Sequence, residues 1–112
     1  MTPIKIKSEI GTANALLLRF GVTILEKAEN ILSKGDTVLL DFEGMNMIST
    51  SFFHVTVGCL YQKLGNDFDA KVKTVNMMKE DWQLNYGDAI YRVQHPEINA
   101  AYREAVLELF ED

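Results

Sequence analysis

Three consecutive hydroxyls, Ser49-Thr50-Ser51, stand directly before an apolar helical pattern. At a helix start, such side chains accept hydrogen bonds from the unpaired N–H groups of the first turn. The same end carries the positive pole of the helix, where an anion is stabilised. Two chemistries fit the triplet. In one, Ser49 or Thr50 is the N-cap, Ser51 sits in the first turn, and Phe52 and Phe53 anchor the helix to a sheet. Loss of that cap would cost about 1 kcal/mol. In the other, Thr50 or Ser51 accepts a phosphoryl group and with it about −1.5 to −2 units of charge.

Upstream, the apolar run Val38–Phe42 contains Asp41, and Glu43 and Gly44 follow it. Asp41 with Ser51 across this junction is the pair that a small hydrolase or phosphotransferase would use. A metal site or receiver-type phosphoacceptor needs more carboxylates from other strand ends, and the first strand has no Asp-Asp pair. Asp41 and Glu43 read as solvated acids at a strand end. His54 and His95 are the only histidines, and neither has a recognisable nucleophile beside it. A Ser51–His54 dyad would require the imidazole to bend back along one helix turn. Cys59 is the only cysteine, which excludes an internal disulfide and a Cys-rich zinc site. Its place in an apolar helical pattern predicts a buried, inert thiol. The seven glycines form no phosphate loop. No catalytic residue, metal ligand or cofactor site emerges, and a non-enzymatic protein is expected.

The elements that must position these residues follow from periodicity. Ile4-Lys5-Ile6-Lys7 alternates as a half-buried or edge strand. Gly11-Thr12 breaks it, and Thr12 or Asn14 can cap a helix reaching Ser33. Leu17, Phe20, Ile24, Ala28 and Ile31 form its apolar stripe, and Gly21 marks a close approach to a neighbouring backbone. Lys34-Gly35-Asp36 ends that helix. Val38–Phe42 is apolar enough for a central strand. Phe53, Val57, Leu60 and Leu64 then give a helix of about four turns over Ser51–Leu64, closed by Gly65-Asn66. Asp67 to Asp69 reads as a polar turn and Lys71–Val75 as a third strand. Trp82, Tyr86, Ile90 and Val93 mark a helix from Glu80 to Gln94, with Tyr91 off the stripe and exposed. Pro96 ends it and opens a last helix with Ile98, Ala101, Tyr102, Ala105 and Leu109. A fourth strand has room in Glu9–Ala15 or between Val75 and Lys79. Strands alternating with helices favour parallel pairing. The expected fold is α/β, one domain over residues 1–112. Its small central sheet is mostly parallel, with room for a mixed edge. Phe20, Leu40, Phe53, Val57, Leu60 and Leu109 should lie in the core.

The 112 residues carry a net charge of −5, and 47% are apolar. An acidic surface repels phosphate backbones and argues against general nucleic-acid binding. Lys5, Lys7, Lys71 and Lys73 would make a local basic patch only if their strands were neighbours. No apolar run approaches the roughly 20 residues needed to span a bilayer, and the N-terminus lacks the apolar core of a signal peptide. With one cysteine and no such segment, a cytoplasmic protein is expected.

Leu40-Asp41-Phe42-Glu43-Gly44 followed by Ile48-Ser49-Thr50-Ser51-Phe52 resembles the STAS superfamily, and within it the STAS-like domains of unknown function. The resemblance runs from about Ile4 to Glu80, though only these quoted residues are specific. It implies helices packed mainly on one face of the sheet. In the anti-sigma factor antagonists of that superfamily, the junction reads Asp-Ser-Ser-Gly and a partner kinase phosphorylates the first serine. Here Ser49 takes the aspartate's place, Thr50 the phosphorylated serine's, Ser51 the second serine's and Phe52 the glycine's. The aspartate's charge is gone and a ring replaces the glycine. The resemblance implies a regulatory protein-interaction module whose partner, a kinase-like ATPase or an anti-sigma type regulator, meets Ser49–Phe53 and the Gly44–Ile48 connection. A homodimer through an apolar helix face is the structural alternative.

Overall fold

The computed structural model describes residues 1–97. The helix expected after Pro96, with Leu109 as a core residue, lies outside that range. Three strands, β1 (Thr2–Lys5), β3 (Val38–Asp41) and β5 (Val72–Val75), form a parallel sheet in the order β1-β3-β5. The fold is α/β, and Val38–Phe42 supplies the central strand as its apolar composition requires. Thr2 pairs with Val38 and Ile4 with Leu40, while Val38 pairs with Val72. Side chains alternate across a strand, so Ile4, Val38, Leu40 and Val72 share one face and are buried. Lys5, Asp41 and Val75 share the other face, where Lys5 and Val75 are exposed and Asp41 is half-buried.

The buried face meets α2 (Leu18–Ser33) and shares its core with a continuous helical run over residues 50–64. That run begins as α3 (Thr50–Phe53), widens into a π-helical segment (His54–Gly58) and closes as α4 (Cys59–Leu64). Helix α6 (Glu80–Gln94) also packs on the π-helical segment. Ile24, Ala28, Phe42, Phe53, Val57, Leu60 and Trp82 join the sheet in one core. Phe53 stacks on Phe42 at 6.0 Å between ring centres and meets Phe52 edge-on at 5.7 Å. Gly21 is where α2 and the 50–64 run touch: a Cβ there would lie 3.3 Å from Val55 Cβ and 3.4 Å from Phe52 Cα. The close approach expected of Gly21 is present, and it explains a glycine inside a helix.

Several segments differ from their sequence patterns. Only Ile4 and Lys5 of the alternating Ile4–Lys7 run are strand. Ile6 begins a short helix α1 (Ile6–Ile10), is fully buried, and the turn ends at Gly11 with a left-handed φ of 75°. Neither Thr12 nor Asn14 caps α2, which starts at Leu18 after an uncapped Leu17. Asn14–Ala15 is instead β2, the fourth strand for which Glu9–Ala15 had room. It pairs in parallel with β4 (Met47–Ile48), because the carbonyls of Ala13 and Ala15 accept from Asn46, Met47 and Ser49 N–H groups. Phe20 is half-buried at the edge of the core, since Gly21 and Ile24 take the innermost positions. Asp67 to Asp69 is helical, in a 3-10 turn (Gly65–Asp67) followed by α5 (Phe68–Lys71). Phe68 causes this: it is 1% exposed and packs on Tyr61 and Tyr86 at 5.4 and 6.1 Å.

Candidate functional site

The junction between β3 and the 50–64 run is built by two devices. Gly44, at φ 77°, reverses the chain after Phe42, and Met45 N–H closes the turn onto Phe42 O at 3.1 Å. The chain then passes through β4, where pairing to β2 fixes its direction, and Ser49 N–H donates to Ala15 O at 2.9 Å. Ser49 is extended (φ −74°, ψ 156°) and its Oγ accepts from Phe52 N–H at 3.3 Å. Ser49, not Thr50, is therefore the N-cap. Its hydroxyl also bonds Ser51 Oγ at 2.9 Å. Thr50 and Ser51 are exposed and Ser49 is half-buried. The three hydroxyls thus sit together at the surface, on an anchored helix start.

Asp41 and Glu43 do not join them. Asp41 Oδ1 accepts from Glu43 N–H at 3.0 Å and from Asn76 Nδ2 at 2.9 Å. Asp41 is accordingly a fastener between the ends of β3 and β5 rather than a freely solvated acid. The cavity that Asp41 lines is completed by Lys5, Lys7, Ser8, Glu43 and Gly44, without Ser51. Lys5 and Lys73 lie on strands separated by β3, and Lys71 closes α5, so the strands do not gather these lysines into one basic patch.

An apolar surface adjoins the junction, and sequence reasoning missed it. Leu16, Leu17 and Leu18 are 50%, 49% and 56% exposed, and Met47 is 50% exposed. Leu16 follows Ala15, whose partner in the ladder is Ile48, so it runs beside Ser49. Periodicity assigned Leu17 to the buried stripe of α2. The available signal was that three successive leucines cannot share one helix face.

The histidines and the cysteine belong elsewhere. His54 Nε2 lies 3.4 Å from Asp88 Oδ2, which also accepts from Arg92 Nε at 2.9 Å. The Arg92 hydrogen bond holds the Asp88 carboxyl below the usual carboxylate range, against the opposing effect of burial and with further help from the Arg92 charge and from His54. Cys59 is half-buried rather than buried. It lines a cavity of about 160 Å³ with His54, Gln62 and Arg92, in the seam between the 50–64 run and α6. Tyr91 is exposed as expected and stacks on His95, their ring centres 4.0 Å apart. Among the described residues, no three His, Cys, Asp or Glu side chains are gathered as a metal would require. No described helix is long and apolar enough to cross a membrane.

The model of a family described as STAS-like domain of unknown function matches residues 21–82, more than half of the chain. That span begins at the glycine contacting the 50–64 run and ends at the buried Trp82. Neither the curated proteins nor the solved structures contain a match.

Proposed function

The chain belongs to the STAS-like domains of unknown function, and from that premise we propose that it is a non-catalytic, regulatory protein-interaction module. Its partner docks on the junction around Ser49–Phe53. The observation carrying this reading is the apolar surface of Leu16–Leu18 and Met47 beside the exposed hydroxyls of Thr50 and Ser51. A monomer keeps such clustered apolar side chains in water only at a cost, and a partner removes it. Polar groups at the rim supply direction, and leucines at the centre supply the area withdrawn from water. The partner class implied by the superfamily is a kinase-like ATPase or an anti-sigma type regulator. Thr50 and Ser51 are the candidate phosphorylation sites. A phosphate there would meet an acidic partner with like charge and release it, a loss that can reach several kcal/mol.

Affinity capture from the native cell, with intact-mass measurement of the captured chain, tests the proposal. The wild-type chain should retain an ATP-binding or anti-sigma type partner, and Leu17→Asp and Thr50→Glu/Ser51→Glu should lose it. A phosphate on part of the captured chain, mapped to Thr50 or Ser51, would support the switch. Identical partner sets for all three baits would reduce the triplet to a helix cap. Self-association of the purified chain, abolished by Leu17→Asp, would replace the partner with a second copy. Turnover of a generic phosphoester, abolished by Asp41→Asn, would overturn the non-catalytic reading.

A further inference from the structure

We propose that the cleft at the carboxyl ends of β1 and β3 binds a small zwitterion of the free amino-acid class. Its acid group would lie on Lys5, Lys7 and Ser8, and its ammonium on Asp41 and Glu43. The cleft has a volume of about 320 Å³ and is open to solvent. Its walls come from two places in the chain: the end of β1 with the start of α1, and the end of β3 with its turn. One wall carries two ammonium groups and a hydroxyl, and the other carries two carboxylates. Such a cleft has no net charge but a strong separation of charge, which a zwitterion complements and a simple anion or cation does not.

The walls have not neutralised each other. Lys5 and Asp41 are direct partners across the β1–β3 ladder and share a sheet face. Even so, among the described residues neither Lys5 nor Lys7 makes an ion pair with Asp41 or Glu43. The reason is geometric for Asp41, whose Oδ1 is turned toward Glu43 N–H and Asn76 Nδ2. Both bonds use that one oxygen, leaving Oδ2 as an acceptor for an incoming donor. Lys7 is held across the Glu43–Gly44 turn: a Cβ on Gly44 would lie 3.1 Å from Lys7 Cδ and 3.4 Å from its Nζ. Glycine at this position, required already by φ 77°, also leaves room for the Lys7 ammonium over the turn. The inference does not depend on the partner-docking proposal.

The test is an NMR titration of the isotope-labelled full chain with a panel of free L-amino acids. Binding members should shift the amides of Lys5–Ser8 and Asp41–Gly44, with dissociation constants around the millimolar range. N-acetylation or C-amidation of the ligand should weaken binding by about tenfold or more, because each removes one of the two charges. Lys7→Gln and Glu43→Gln, both at exposed positions, should each weaken it comparably, and the dispersion of the spectra reports that they remain folded. The proposal is overturned if no amino acid shifts these amides at about 10 mM. It is also overturned if acetate or inorganic phosphate binds as tightly, which would make this a plain anion site, or if both variants bind like the wild type.

Discussion

Along one helical run, residues 50–64, the chain passes from exposed Thr50 and Ser51 to buried Thr56, Val57 and Gly58 within two turns. Hydroxyls occur in both regions, with opposite fates. Thr56 is fully buried, and its Oγ1 donates to Phe52 O at 2.8 Å, so the backbone of its own helix consumes it. Ser49 and Ser51 bond each other and one helix N–H, and they stay at the surface. A hydroxyl inside a packed helix is thus a structural atom, whereas one at the exposed first turn remains accessible from solvent. The middle of the run is fixed by both α2 and α6. Its start is held on the inner side by Phe52 and Phe53, and at the surface by the Ser49 cap and the two-residue β2–β4 pair.

If that contrast is right, substitutions should fall into two classes. Phe53→Ala should be the costliest, at about 3–5 kcal/mol by chemical denaturation, because a fully buried ring between Phe42 and Phe52 is removed. Gly21→Val should follow at about 1–3 kcal/mol, since its side chain would press on Val55 and the Phe52 backbone. A neutral result there would mean that the α2 contact is looser than the fold requires. Ser49→Ala should cost about 1 kcal/mol, and Ser49→Asp should recover most of it as an alternative cap. Equal stability of the two variants would show that the β2–β4 pair and the buried Phe52 and Phe53 hold the helix start without the cap. Leu17→Ser should change stability by no more than about 0.5 kcal/mol while abolishing partner capture. A large loss of stability would place Leu17 with the core and remove the central contact of the proposed surface.

The parts of this architecture readable from the chain were those whose patterns extend over several turns or a whole strand. Val38–Phe42 was recognisable because all its residues but Asp41 are apolar, as suits a central parallel strand. The Phe53–Leu64 stripe was recognisable because every third or fourth residue meets the core. Two-residue strands such as Asn14–Ala15 carry no period, so β4 was hidden and β2 was no more than a segment with room for a strand. The π-helical segment was equally silent, since it changes hydrogen bonding without disturbing the Phe53–Val57–Leu60 spacing. At the candidate site, the hydroxyl triplet and Gly44 could be read from local chemistry. The exposure of Leu16–Leu18 was legible only in part: three successive leucines cannot share one helix face, but nothing local shows that all three stay at the surface where the chain leaves β2 for α2. The availability of Lys5 was hidden too, because it depends on Asn76 drawing Asp41 away from more than thirty residues along the chain.

The pairing of the sheet also sets an order in time. Thr2 meets Val38 and Val38 meets Val72, so each strand pair joins segments more than thirty residues apart. Closing such loops costs entropy before any ladder bond repays it, and parallel sheets of this kind assemble slowly. Local helices such as α2 close no such long loop before their own bonds form. During that interval Val38-Leu39-Leu40 is an unpaired apolar segment, open to the same segment of another nascent chain. Asp36 on one side and Asp41 with Glu43 on the other bracket it with negative charge, which repels a second copy brought alongside. Asp41 thus places charge beside the apolar segment before the sheet closes, and is the clasp to Asn76 once it has.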